Sequence, residues 1–173
     1  MNTWDNNNAD KSAKIFNSII PILEQYFGGK IYSTENHDNQ FAKLLDYKCA
    51  IDALVDTDDA VFGIAHRVKY SYYEDFTIRK SIYNSDKVTE LDKISRPGIK
   101  PRFHVQTVCI DNKPVVVAIA KTSDLLYAIN HDIAKIRRNT KDKYEFYSID
   151  WFDLLSNGIN VDIIKVEGLV WKL

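Results

Sequence analysis

The sequence predicts a single α/β domain in which helices flank a central mixed sheet. Three observations support this fold class: a helical pattern near the N-terminus, three consecutive strand-like segments within 48–83, and strands that alternate with helices after that. The chain has 173 residues, 45% hydrophobic and 27% charged, which is enough for one packed core. Neither a linker nor an internal repeat divides it, so residues 12–173 are expected to form one domain.

The N-terminal segment is expected to be a tail followed by a helix. Residues 1–11 are polar and rich in asparagine, which predicts disorder. Apolar side chains recur at helical intervals from Ile15 to Phe27, which predicts a helix over 12–27. Pro21 should kink this helix or divide it in two, and Gly28 should end it. A short strand at 30–33 and a polar loop at 34–40 are expected next.

Three strands in a row are expected at 48–55, 61–70 and 76–83, with a turn at DTDDA between the first two. The second strand alternates an apolar face with a face that carries Arg67 and Lys69. The third does the same with Thr77 and Arg79, and Asp52 falls within the first. This alternation predicts a sheet with one covered face and one polar, open face.

The second half of the chain is expected to continue the same architecture. A short helix at 85–94 precedes strands at 103–110 and 115–120, and the second of these strands is apolar on both faces and therefore central. A helix is expected to begin at Thr122 or Ser123 and to end in the basic segment KIRRNTKDK. A strand at 144–149, a helical turn at 151–155 and a strand at 160–166 complete the prediction.

Composition limits the classes of function. The net charge of −1 gives no bulk attraction to nucleic acid, although it permits a local basic patch. No apolar run approaches the roughly 20 residues of a membrane span, and no secretory signal is evident, so no membrane partner is expected. Cys49 and Cys109 fit buried thiols of a cytoplasmic protein. Nucleotide-binding glycine motifs, a GxSxG or HExxH motif and an EF-hand loop are absent.

The residues around Asp52 carry the chemistry. An acid on one strand with basic groups on the next is the arrangement that a metal-dependent phosphodiesterase needs, because a divalent ion activates water and stabilises the developing charge. Such an ion prefers carboxylate oxygens together with phosphate and water. Glu24 in ILEQYFGG, Asp46, and Asp52 in Ala50-Ile51-Asp52 are the candidate acids.

This pattern resembles the PD-(D/E)XK, or restriction-endonuclease-like, nuclease superfamily. The resemblance implies a core of a helix, a three-strand meander, a helix and further strands. It also implies an Mg²⁺ or Mn²⁺ ion, held by Asp52 with Asp46 and Glu24 as accompanying acids. The family's next strand carries an acid or glutamine, any residue, and then lysine, and the matching positions here are Ala65, His66 and Arg67. Asp52, Arg67 and Glu24 are accordingly the candidate catalytic residues.

The departure at this second motif leaves three interpretations open. Ala65 has no side-chain oxygen for a metal, and Arg67 is too basic to accept a proton, although it can clamp a phosphate with two hydrogen bonds. The missing acid is replaced by Glu24, Glu35 or Asp46, or catalysis is lost and binding remains, or the resemblance is accidental. Structural alternatives also remain: Arg67 as an ion-pair partner of Asp52, and Glu24 as a solvent-facing helix residue.

Two functions are therefore expected as alternatives. One is a metal-dependent nuclease. Its expected contacts to nucleic acid are five basic residues: Lys69, Arg79, Lys80, Arg137 and Arg138. The other is a non-catalytic protein that binds nucleic acid or a protein partner, such as a component of a mobile element or defence system. An open polar face that carries Asp52, Arg67 and Arg79 together favours the first. The same residues closed off and paired with one another favour the second.

Overall fold

The computed structural model describes residues 3–34, 39–140 and 143–166, with side chains from Asp10 onward. The helices are α1 (Thr3–Phe27), α2 (Gln40–Cys49), α3 (Glu90–Ser95), α4 (Thr122–Asn130) and α5 (Trp151–Ser156). The strands are β1 (Gly29–Ser33), β2 (Ala53–Thr57), β3 (Val61–Lys69), β4 (Asp75–Ile82), β5 (Pro101–Ile110), β6 (Lys113–Lys121), β7 (Lys135–Asn139), β8 (Tyr144–Asp150) and β9 (Asp162–Lys165).

The strands form two sheets. A six-stranded mixed sheet has the order β1-β2-β3-β5-β6-β9, in which β3 and β5 are parallel and the other neighbours are antiparallel. A three-stranded antiparallel sheet has the order β4-β8-β7. The expected α/β domain, with a mixed sheet flanked by helices, is confirmed.

Each face of the six-stranded sheet is covered by a different layer. On one face Phe16, Ile19 and Leu23 of α1 pack against apolar side chains of the sheet such as Ile64 and Val117. On the other face a second cluster joins the sheet to the three-stranded sheet and to α3, α4 and α5, and it includes Phe76, Ile78, Ile94, Leu125 and Leu154. The apolar positions 115–120 of β6 are buried throughout, as expected for a strand between β5 and β9.

The first helix is longer than expected. The helical backbone begins at Thr3, so the prediction of a disordered tail up to residue 11 is wrong from that residue on. Neither proline nor glycine lies between Thr3 and Ile20. The helix that the apolar residues from Ile15 onward stabilise can therefore extend toward the N-terminus. Pro21 does not divide α1, and Gly28 follows its last residue with a φ of 68°. This left-handed conformation is the one that favours glycine at a helix end.

The predicted strand at 48–55 is wrong in its first half. Residues 40–49 form α2, which is capped by the Asn39 side chain and buries Ala42 and Leu45. The helix ends at Ala50, whose φ of 55° turns the chain sharply, and β2 begins only at Ala53. Asp46 therefore lies on a helix, and Asp52 lies in the bend before β2 rather than within a strand.

The predicted three-strand order is also wrong. The antiparallel meander consists of β1, β2 and β3, whereas β4 pairs with β8 in the other sheet. The free edge of β3 pairs with β5 instead, so β4 has no place beside β3. The first five residues of the basic segment that was expected to end a helix form strand β7 instead, because α4 ends at Asn130 and Asp132 adopts a φ of 58°.

Candidate functional site

Four of the sequence-predicted site residues, Asp46, Asp52, Arg67 and Arg79, line one open cavity. It has a volume of about 440 Å³ and lies where α2, the bend at 50–52, β3, β4 and α3 come together. Six charged residues line it: Asp46, Asp52, Arg67, Arg79, Glu90 and Lys93. Ala65 and His66 of β3 also line it. Asp52, Arg67 and Arg79 are thus brought together, although they come from two different sheets and a bend.

Main-chain hydrogen bonds fix the position of Asp52. Its own N–H donates to the carbonyl of Ile64 at 2.9 Å, and its carbonyl accepts from the N–H of Thr34 at 2.9 Å. One carboxylate oxygen, Oδ2, accepts from the N–H of His66 at 2.6 Å. The bend is therefore tied both to the end of β1 and to β3, which holds the carboxylate at the cavity wall.

A close contact between Ile51 and Gly63 lets the bend approach β3. A Cβ atom at residue 63 would lie 2.6 Å from Cδ1 and 2.7 Å from Cγ1 of Ile51, closer than real Cβ contacts allow. Glycine is therefore required at 63 for steric reasons, so that the buried Ile51 side chain can lie directly on the strand. The hydroxyl of Thr34 donates to the Ile51 carbonyl at 2.8 Å and closes the other side.

Glu90 is the functional residue that the sequence analysis missed. It is the first residue of α3, directly after the N-cap Thr89, whose capping box with Asp92 fixes this helix end. Its Oε2 lies 2.6 Å from Nη2 of Arg67 and accepts from the N–H of Arg79 at 3.2 Å. Its Oε1 lies 3.5 Å from Nε2 of His104. The signal in the sequence is the pattern Thr-Glu-Leu-Asp, which marks a helix start but not a partner for Arg67.

The electrostatics of the cavity wall keep Glu90 charged and His66 neutral. Burial by itself raises the pKa of Glu90. The charge of Arg67, the contacts with His104 and the hydrogen bond from the Arg79 N–H together have the larger effect and lower this pKa to about 2. Burial, with a contribution from the charge of Arg67, lowers the pKa of His66 to about 3. Neutral His66 hydrogen-bonds Thr107 through Nε2 at 2.9 Å and packs on Phe16, as expected for a core histidine.

Arg79 has a buried donor without a protein acceptor. In the described part of the chain its Nε has no hydrogen-bond partner. Its guanidinium lies over the Tyr144 ring at 4.9 Å, and it makes no ion pair with any described carboxylate. A guanidinium removed from water normally pairs with a carboxylate or phosphate. The guanidinium of Arg79 thus lines the cavity without a carboxylate partner among the described residues.

Glu24 does not belong to this cavity. Its Oε1 accepts from the N–H of Ile31 at 3.2 Å, and its Oε2 lies 3.5 Å from Nζ of Lys30. These contacts join the end of α1 to β1. Asp46, in contrast, does line the cavity from α2, and its side chain is exposed. Glu35, the other substitute acid that was considered, lies outside the described residues.

Four of the five predicted nucleic-acid contacts lie elsewhere. Lys69 is paired with Asp75 of β4. The pKa of Lys69 is lowered, mainly by burial, although the hydrogen bond and the charge of Asp75 act in the opposite direction. Lys80 lies 3.5 Å from Glu145, and Arg138 pairs with the same carboxylate at 2.9 Å. Arg137 lines a separate cavity of about 330 Å³ together with Lys69. Only Arg79 of the five lines the cavity of Asp52.

The donor set of the cavity partly fits a hard divalent ion. Asp46, Asp52 and Glu90 supply carboxylate oxygens, the ligand type that Mg²⁺ and Mn²⁺ prefer. Ala65 contributes none, and Glu90 is engaged by Arg67. Within residues 3–34, 39–140 and 143–166, no three His, Cys, Asp or Glu side chains are close enough together to hold a metal. Of these three acids, Asp52 is held at the cavity wall by the N–H of His66, and Asp46 is exposed on α2.

Comparison with protein-family models, with curated proteins and with solved structures finds no match for the chain. None of the helices in the described part is both long and apolar enough to cross a bilayer.

Proposed function

We propose that the protein acts on nucleic acid, and that it binds a phosphodiester group in the cavity of Asp52, Arg67 and Arg79. The observation that carries this proposal is that these three residues line one open cavity of about 440 Å³. Arg67 lines this cavity with a guanidinium that is paired with Glu90 through Nη2, and the Nε of Arg79 has no acceptor among the described residues. A phosphate oxygen satisfies such donors with short, charge-assisted hydrogen bonds.

In its enzymatic form the proposal is a metal-dependent nuclease that resembles the PD-(D/E)XK superfamily. The order α1, antiparallel β1–β2–β3, α3 and β5 agrees with the order that the resemblance implies, although α2 interrupts the meander and β4 follows it. Asp52 would hold Mg²⁺ or Mn²⁺ with Asp46 nearby, and such an ion activates water and stabilises charge at the phosphorus. The residues of the chain position the phosphate: Arg67 and Arg79 orient it toward Asp52.

The non-catalytic alternative has specific support as well. Ala65 provides no second ligand on β3, and the carboxylate of Glu90 is held by Arg67 at 2.6 Å. These features favour a protein that binds nucleic acid, or a protein partner with phosphate-like acidic groups, without cleaving it.

A cytoplasmic location is proposed for the nuclease and for the non-catalytic protein alike, and the free thiols Cys49 and Cys109 support it. Burial raises the pKa of Cys109 to about 11, so this thiol is unreactive.

The deciding experiment compares wild type with Asp52→Asn, with Arg79→Gln and with the control Asp58→Asn. The asparagine at 52 can still accept the His66 N–H, so it removes charge with little change in shape, and Asp58 is an exposed acid in the β2–β3 turn. Labelled single-stranded DNA, double-stranded DNA and RNA are incubated with Mg²⁺ or Mn²⁺, and binding is followed by fluorescence anisotropy without metal.

Metal-dependent cleavage by wild type and Asp58→Asn, and none by Asp52→Asn, is the outcome expected of the nuclease. Binding without cleavage, weakened by Arg79→Gln but not by Asp58→Asn, is the outcome expected of the non-catalytic form. Absence of both binding and cleavage with folded wild-type protein would overturn the proposal.

A further inference from the structure

A second cavity, of about 400 Å³, adjoins the cavity of Asp52 and is lined by basic residues. Five cationic residues contribute to it: Lys48, Arg79, Lys87, Lys93 and Arg96. Among the described residues no carboxylate lines it, and Tyr47, Ile82 and Val88 complete its walls. In a chain with 23 basic and 24 acidic residues, this cavity therefore concentrates positive charge locally. The sequence analysis named only Arg79 among these five.

The basic residues of this cavity form no pair with a carboxylate that the structure describes. None of the five forms an ion pair in the described part of the chain. Lys93 donates through Nζ to the main-chain carbonyl of Asp46 at 3.2 Å and lies over the Tyr47 ring at 5.5 Å. The charge of Arg96 acts on Asp92, whose pKa is lowered mainly by its hydrogen bonds with Thr89 and to a lesser degree by Arg96.

The two cavities share a wall. Arg79, Val88 and Lys93 line both of them. Arg79, whose Nε has no acceptor among the described residues, therefore contributes to both cavities. If one phosphate of a polyanion is bound in the cavity of Asp52, the neighbouring phosphate is then expected in the second cavity.

We propose that the basic cavity is a second phosphate-binding site, next to the cavity of Asp52. The five cations define the chemistry of its ligand, namely a phosphate group with several anionic oxygens. Two sources share this chemistry: the neighbouring phosphate of a nucleic-acid strand, and a free phosphorylated small molecule. The first source depends on the proposed function, and the second does not.

The test uses the double variant Lys87→Gln/Arg96→Gln, because both side chains are exposed and their loss should leave the fold intact. The matched control is Lys113→Gln/Lys165→Gln, which removes two positive charges from exposed residues outside both cavities. Tripolyphosphate is titrated by isothermal calorimetry, and a labelled single-stranded oligonucleotide is titrated by anisotropy at several salt concentrations. Urea unfolding verifies that each variant is folded.

Weakening of both probes by about tenfold or more relative to the control, with a shallower salt dependence for the oligonucleotide, identifies a strand as the ligand. Weakening of tripolyphosphate alone identifies a free phosphorylated molecule, and the second site then stands even if the nucleic-acid function fails. If neither probe binds wild type, or if the double variant binds both probes as the control does, the second site is refuted.

Discussion

The Arg67 guanidinium lies 2.6 Å from the Glu90 carboxylate and joins the centre of β3 to the first turn of α3. The same carboxylate accepts the N–H of Arg79 in β4, so that one acid links the six-stranded sheet, the three-stranded sheet and a helix. These contacts hold the Arg67 side chain and the main chain of Arg79 at one cavity.

Replacement of Glu90 by glutamine should destabilise the protein. The change leaves Arg67 without a charged partner, and because the Arg67 side chain is 35% exposed, the expected loss is about 2 kcal/mol rather than the larger value for a fully buried pair. Urea unfolding at pH 7 measures it, with Asp58→Asn as the control. A loss no greater than that of the control would show that the ion pair contributes nothing to stability.

Acid should destabilise the protein in two steps. The pKa of His66 is about 3 in the folded chain and 6.5 in the reference state, so protons bind the unfolded chain preferentially as the pH falls below about 6.5. Between pH 7 and 4.5 the free energy of unfolding should fall by about 2–3 kcal/mol for this reason. Below pH 4.5, Glu90 adds a second loss, because its pKa is lowered from 4.5 to about 2.

The variant His66→Gln separates these two steps. It removes the titrating imidazole but keeps a side chain that can reach Thr107, so its unfolding free energy should be nearly flat between pH 7 and 4.5. Urea unfolding at four pH values measures both proteins. A variant that loses stability with the same slope as wild type in this range would exclude His66 as the cause.

Substitution of Gly63 by alanine should disturb the bend that carries Asp52. The added Cβ would meet Ile51 at 2.6 Å, and overpacking of this kind costs about 1–3 kcal/mol. Ile51→Val removes Cδ1 and should recover part of that loss when combined with Gly63→Ala. A double-mutant cycle measures the recovery as a coupling energy. Additive effects of the two substitutions would mean that the close contact is not the source of the strain.

Glu24→Gln should leave binding and cleavage of nucleic acid unchanged, whereas Asp52→Asn should weaken one or both. The carboxylate of Glu24 contacts Ile31 and Lys30 and does not line the cavity of Asp52. The expected effect of the Glu24 change is a loss of about 0.5–1.5 kcal/mol of stability, from a weakened hydrogen bond. Parallel binding and unfolding assays test this. If Glu24→Gln lost as much binding or cleavage of nucleic acid as Asp52→Asn, Glu24 would have to be counted among the functional residues.

Part of the candidate site was predictable because it depends on residue type and strand periodicity. Arg67 and Asp52 were singled out as charged residues in apolar surroundings, and both line the cavity. Glu90 was not singled out, because 23 residues separate it from Arg67 and no local pattern joins a helix N-terminus to a strand. The basic cavity was missed for the same reason: Lys48 and Arg96 meet only when α2 and α3 come together.

The sequence by itself determined the α/β class, β3, β5, β6 and β8, because alternation and apolar runs are local consequences of side-chain burial. It did not determine α2, where the apolar segment around Cys49 was mistaken for a strand although Asn39 caps a helix. Only the tertiary structure decided that β4 pairs with β8 and that β3 pairs with β5. Every strand offers the same main-chain donors and acceptors at both edges, so the choice of partner follows from which apolar faces can be buried together across the whole chain.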